Sequence, residues 1–356
     1  MRRSLLAAAQ NSVTIGYMNT NLALPTPAGR RSWRRGLALV AAVAALALGR
    51  QAAASAAPAD IGPLLQPAQL HALLLEHVPL RIVDLRGPSA YAAGHLPGAV
   101  DAPYGSWRGP SYNPGRLLSV QAFTQRVRSL GLHAADQVVL VSAGGNPTDF
   151  GAPARVFWTL RWLGMSRLSI LNGGMQAWHD AGYADLQRSN VVVAPSQFQP
   201  HLNNALLATR EQVLQQVREP SASAVLLDAR PKAFWLGKVK APAARAPGTL
   251  PGALDFSNMR WFPQGGGALP PLAELRTIAH GLPPQQAQAQ QTISFCNTGH
   301  WAATNWFVLS QILHQPDVRL YPGSMVDWSR HDEPMSHVPS RAQQLWKQLR
   351  QTVQAR

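Results

Sequence analysis

One side chain among the 356 residues carries a thiol. Cys296 stands where the apolar run Ile293-Ser294-Phe295 ends, and Asn297, Thr298, Gly299 and His300 separate it from Trp301, after which a helical pattern begins. A loop wrapped between a strand end and a helix N-terminus turns successive main-chain N–H groups inward, and the helix dipole adds partial positive charge. Both favour thiolate over thiol. The same nest would hold a terminal sulfur anion once the thiolate had captured one. Gly299 supplies the positive φ that so tight a turn needs. A buried, inert residue is the competing reading, because free Cys is among the most buried residue types; neighbours of loop type argue against it. A phosphate-binding Cys-x5-Arg loop is excluded, since position 302 is Ala and no guanidinium stands six residues on. A lone cysteine also excludes an internal disulfide and any multi-cysteine zinc site.

The elements that position this loop occur twice. Residues 80–86 (LRIVDLR) parallel 224–230 (AVLLDAR), 94–99 (GHLPGA) parallel 248–253 (GTLPGA), and 171–178 (LNGGMQAW) parallel 321–328 (YPGSMVDW), in the same order and at similar spacing. The chain therefore divides into a first copy over 62–182, a linker over 183–208 containing Pro195 and Pro200, and a second copy over 209–335. In the second copy, Thr209 with Gln212 forms a capping box that opens a helix to about Glu219. Apolar runs at 224–228, 253–256, 292–295 and 318–321 read as strands, and 302–313 as a buried helix. Such alternation predicts α/β domains, each with a mostly parallel sheet covered by helices on both faces. In the first copy the strand 138–141 leads instead to Ser142-Ala143-Gly144-Gly145 and a longer loop before a helix near Ala154, so that copy has no thiol and is expected to be inactive. Residues 339–356 read as a C-terminal helix with Leu345, Trp346 and Leu349 as its apolar stripe.

Apolar residues make up 46% of the chain and charged residues 14%, which excludes disorder throughout. The net charge of +15 raises nucleic acid as a partner. However, residues 1–59 hold seven Arg and no acid, leaving 25 basic against 17 acidic side chains with no dense basic run, so nucleic acid is not expected. Residues 1–56 read as a cleaved export signal: Arg30, Arg31, Arg34 and Arg35 precede the apolar run 37–48, and small residues follow with Ala54-Ser55-Ala56 as cleavage site. Arg30-Arg31 before Ser32-Trp33 also fits a loose twin-arginine signal, and Met18 is an alternative start. An apolar run of 12 residues falls short of the ~20 that a spanning helix needs, so no membrane anchor is expected after cleavage. The expected location is the periplasm.

The Asp-x-Arg strand ends (Asp84/Arg86 and Asp228/Arg230), the GHLPGA block, the 296–302 loop and the 171–178 block together are specific. Over about residues 65–330 the chain resembles a tandem-domain rhodanese, that is, a thiosulfate or 3-mercaptopyruvate sulfurtransferase. The resemblance implies two tandem rhodanese-like domains, the first inactive and the second catalytic. It also implies a transferase cycle in which sulfane sulfur passes from thiosulfate to a thiophilic acceptor, cyanide or a thiol, through a persulfide on Cys296. A 3-mercaptopyruvate sulfurtransferase and a non-catalytic periplasmic sulfur carrier are the alternatives. Asn297 and Thr298 stand where thiosulfate-type members place cations, the Gly-Ser-Gly of mercaptopyruvate-type members is missing, and Phe234 replaces an Arg four residues after Arg230. The expected substrate-binding residues are Asn297, Thr298, Gly299, His300, Trp301 and Arg230, with His300 donating to an anionic donor from its protonated form. Asp228 is expected to be structural beside the site. Lys238, Lys240 and Arg245 fall in an insertion near the cleft, Trp235 and Trp261 could wall it, and Asp84, Arg86 and His95 are expected to be structural remnants. No cofactor or metal is expected, and the chain is expected to act as a monomer on a small anionic sulfur donor.

Overall fold

The computed structural model describes residues 61–340; the export signal expected over 1–56 and residues 341–356 of the expected C-terminal helix lie outside them. Among the described residues, nine strands form two sheets. Leu64–Leu65 (β1), Arg81–Asp84 (β2), Val100–Asp101 (β3), Val138–Val141 (β4) and Leu168–Leu171 (β5) pair in the order β1-β5-β4-β2-β3. Ala224–Asp228 (β6), Leu254–Asp255 (β7), Gln291–Phe295 (β8) and Val318–Leu320 (β9) pair in the order β7-β6-β8-β9. Every ladder is parallel. Val138–Val141 and Leu168–Leu171 are buried at every position, the pattern of parallel strands covered on both faces.

Helices Gly151–Trp162 (α1) and Trp301–Trp306 (α3) flank the site, and Arg210–Arg218 (α2) opens the second copy. The expected capping box opens α2, with the Gln212 N–H donating to Thr209 Oγ1 at 3.3 Å and the Thr209 N–H to Gln212 Oε1 at 2.9 Å. The helix expected over 302–313 begins at Trp301 and changes character half-way, continuing from Phe307 to Ile312 as a π-helix. The linker is no free tether. Its Ser196 Oγ–H donates to Leu132 O, the N–H groups of His201 and Asn203 donate to Leu163 O and Trp162 O, and Ala208 N–H then joins the second copy at Leu320 O.

Each copy keeps a small core of its own on one face of its sheet. The largest apolar cluster runs through both copies. At its centre Phe157 of α1 meets Phe307 edge-on at 5.1 Å between centroids, and Phe150 meets the same ring at 5.5 Å. Burying side chains of this size stabilises by roughly 1.5–3 kcal/mol each, so the joint between the copies is a core rather than a contact of surfaces. In the second sheet the chain leaves β6 for β7 on one side and returns to β8 on the other, so the loops after β6 and β8 diverge and open a crevice at the strands' carboxyl ends. Asp228 lies opposite Phe295 in register, which delivers Cys296 to the floor of that crevice.

Candidate active site

The hydrogen bonds of the Cys296 loop divide by direction. Its carbonyls are all held from behind. Met325 N–H donates to Cys296 O and Val326 N–H to Asn297 O, both at 3.0 Å; Thr298 O and Gly299 O accept from arginines; His300 O accepts from the Ala303 N–H. The Cys296 N–H donates to Ser324 Oγ at 3.0 Å. The N–H groups of residues 297–302, in contrast, have no hydrogen-bond partner among the described residues. A loop with its carbonyls anchored outward presents its amides to the centre, which is an anion-binding nest. Gly299 makes the turn with φ +69°, and a Cβ there would overlap the Arg155 guanidinium and Pro322 O.

Those arginines come from the first copy. Arg108 Nη2 donates to Thr298 O at 2.7 Å, and Arg155, buried on α1, donates from Nη1 to Thr298 O at 3.3 Å and Gly299 O at 3.2 Å. Burial, and then the Arg108 charge, lower Arg155 to about 9, which leaves it cationic at neutral pH. Arg108 Nη1 also donates to the Tyr104 hydroxyl at 2.8 Å. That hydroxyl lies 2.9 Å from His300 Nδ1, and His300 Nε2 lies 2.9 Å from Thr148 O. A carbonyl can only accept, so Nε2 carries the imidazole proton and Nδ1 accepts from Tyr104. Burial and the Arg108 charge push the His300 pKa down to about 3.

A cavity of about 360 Å³ opens on the thiol. Asn297, Thr298, His300 and Trp301 line it from the second copy, Tyr104, Arg108 and Thr148 from the first, and Ala241 from the insertion. Cys296 itself is only 1% exposed, and this cavity is its route to solvent. Among the described residues no group of three or more His, Cys, Asp or Glu side chains is placed to hold a metal.

The rhodanese-like domain family matches this chain twice, over residues 66–181 and 209–331. The chain belongs to the rhodanese-like family. A thiosulfate sulfurtransferase of Pseudomonas aeruginosa is 30% identical over 77% of this chain and 96% of its own length, and one of Rattus norvegicus is 30% identical over 70% and 82%. Among solved structures, SseA of Escherichia coli, described as a 3-mercaptopyruvate sulfotransferase, superposes with a TM-score of 0.63 at 25% identity, over 74% of this chain and 99% of that one. An anaerobic ergothioneine biosynthesis enzyme of Chlorobium limicola, with a TM-score of 0.67 at 18% identity over 78% and 71%, shares the fold.

Within this rhodanese fold the site differs from expectation in four places. Arg230 is not a cavity residue. It is 2% exposed, with Nε and Nη2 donating to Asp228 at 2.6–3.1 Å, Nη2 also to Gly248 O at 2.8 Å, and Nη1 to Asn297 Oδ1 at 3.4 Å. Thr249 Oγ1–H completes the shell of Asp228 at 2.7 Å. This pair touches the loop from beneath through Asn297, and Arg86 repeats its bonds to the aspartate and to a glycine carbonyl, Asp84 and Gly94 O, in the first copy. His300 lines the cavity as a neutral ring with both nitrogens engaged, so the expected donation from a protonated imidazole is corrected. Of the insertion only Ala241 reaches the cavity, whereas Lys240 caps Ala244 O and Arg245 donates to Arg330 O. Trp235 and Trp261 are no wall either, with their Nε1–H groups bonded to Ala253 O and Asn305 Oδ1. Tyr104, Arg108 and Arg155 were missed, because the signal for them is a comparison of the copies at positions outside the three repeated blocks.

Proposed function

We propose that the chain is a sulfurtransferase that moves sulfane sulfur from thiosulfate to a thiophilic acceptor through a persulfide on Cys296. The observation that carries this is the loop whose carbonyls are anchored outward and whose amides from 297 to 302 are left for an anion beside the one thiol. The family membership and the thiosulfate sulfurtransferases among the relatives support it. Cys296 thiolate attacks the outer sulfur of thiosulfate, the S–S bond of the donor breaks, and sulfite leaves with the electron pair. The persulfide's outer sulfur then carries the negative charge, held by main-chain amides and by positive charge from Arg108. An acceptor such as cyanide attacks that sulfur, the Sγ–S bond breaks, and thiocyanate departs as the thiolate is restored. No redox partner or net proton is required.

Asn297, Thr298, Gly299, His300 and Trp301 are assigned to shaping and lining the anion site. A Cys296→Ser variant should lose transfer to the background rate while keeping its unfolding midpoint; retained transfer contradicts the assignment. Thiosulfate should exceed 3-mercaptopyruvate in kcat/KM, and the reverse order would reassign the donor to the class of the SseA relative. We further propose that the protein acts in the periplasm, which the order of basic, apolar and small-residue segments in residues 1–56 supports. An N-terminus near Ala57 in a periplasmic extract is the expected result, and an unprocessed cytosolic chain the contrary one.

A further inference from the structure

The two copies, equivalent in their hydrogen bonds, carry an asymmetry that the missing thiol alone does not explain. In the first copy the Tyr104 N–H donates to Leu85 O, inside the first Asp-x-Arg; in the second the Asn258 N–H donates to Ala229 O, inside the other. Each opens a 3-10 turn, Tyr104–Trp107 and Asn258–Trp261, and each turn ends on a buried Trp. Tyr104 thus corresponds to Asn258, and Arg108 to Phe262. Arg155 is the fifth residue of α1 as Asn305 is of α3. At all three positions the copy without the thiol holds the hydrogen-bonding or cationic side chain that crosses to the armed loop. The counterparts in the second copy send neither a hydrogen bond nor a charge across. Phe262 packs on Phe150 at 5.7 Å, Asn305 bonds within its own copy to Trp261 and Phe256 O, and the Asn258 side chain has no hydrogen-bond partner among the described residues.

Resting on the sulfurtransferase reading above, we infer that the first copy is the charge-bearing half of the active site, with Tyr104, Arg108 and Arg155 as positioning residues that hold the Cys296 loop amides-inward and make its cavity select anions. Arg108 joins the two tasks. One guanidinium nitrogen fixes Thr298 O, the other orients the Tyr104 hydroxyl that locks His300, and the side chain itself lines the cavity. Duplication has thus divided the site, with the nucleophile in one copy and the field in the other.

Alkylation of the single thiol tests this without using sulfur, since no other cysteine in the chain can react. Rates are measured on the full chain with anionic iodoacetate and neutral iodoacetamide. Arg108→Met should lower the iodoacetate-to-iodoacetamide rate ratio by about tenfold, as loss of a fixed charge at a partly desolvated site does. Arg108→Lys should restore part of the ratio. Tyr104→Phe should slow sulfur uptake from thiosulfate by about tenfold, through the lost hydrogen bond to His300, while leaving the ratio intact. A purely structural role for Arg108 slows both reagents alike, so an unchanged ratio in Arg108→Met overturns the inference. Should that variant fail to fold, Arg108→Gln removes the same charge in its place, and an unchanged ratio there together with unimpaired sulfur uptake in Tyr104→Phe overturns it equally. A wild-type ratio that depends on Arg108 in a chain that takes up no sulfur would sustain the inference and remove the sulfurtransferase reading instead.

Discussion

At the scale of residues, His300 sets the acid limit. Its imidazole is held neutral, Nε2–H to Thr148 O and Nδ1 to Tyr104, with a pKa of about 3 in the folded chain. An unfolded His binds a proton below about 6.5. Between those two values the unfolded chain holds the extra proton, so stability falls as pH drops from about 6.5 toward 3, and this loss disappears in His300→Gln. Unfolding free energy against pH for the two proteins checks it; parallel curves contradict it. The same placement predicts that kcat/KM carries no His300 titration between pH 6 and 8. Arg230 makes the opposite kind of prediction. Arg230→Met leaves the Asp228 carboxylate buried without its cation, and unfolding should become easier by about 3–5 kcal/mol in denaturant titration, far above the cost of an exposed substitution. Cys296 was legible because a single thiol among loop-type neighbours has few roles. Arg230 was misread because an Asp-x-Arg strand end looks the same whether its guanidinium faces the cavity or folds back on its own aspartate.

At the scale of elements, the Cys296 loop depends on Gly299. An Ala there must adopt φ +69°, which costs a side chain about 1–2 kcal/mol, and its Cβ must displace the Arg155 guanidinium that fixes two of the loop's carbonyls. Gly299→Ala should therefore lower kcat/KM for sulfur transfer by at least about tenfold while the far-ultraviolet spectrum is unchanged; wild-type kinetics would show that the loop is not held as described. The strands β4 and β6 could be read residue for residue, because VVLV and AVLL are plain apolar runs, and β8 and β9 to within one residue at one end. Leu64–Leu65 could not, since two residues become a strand only by pairing with Ile170 and Leu171. Nor could the π-helical turn 307–312, where apolar residues on more than one face give no single period.

At the scale of the whole molecule, duplication was written in three repeated blocks, but the way the copies meet was not, because no repeat records which face of α1 opposes which face of α3. Their joint is the largest apolar cluster of the described chain, with Phe157 fully enclosed against Phe307 and Trp306. Phe157→Ala should cost about 3–5 kcal/mol. Because that core belongs to both copies, calorimetry should still show one transition, shifted down; two separated transitions would mean that the copies fold independently.

Sulfur must reside covalently at one atom during transfer, and intact-protein mass spectrometry reads that directly. After incubation with thiosulfate and removal of small molecules, the wild-type chain should gain the mass of a single sulfur, mapped to the Cys296 peptide and lost on adding cyanide. Absence of that gain, or its persistence in Cys296→Ser, would contradict the mechanism.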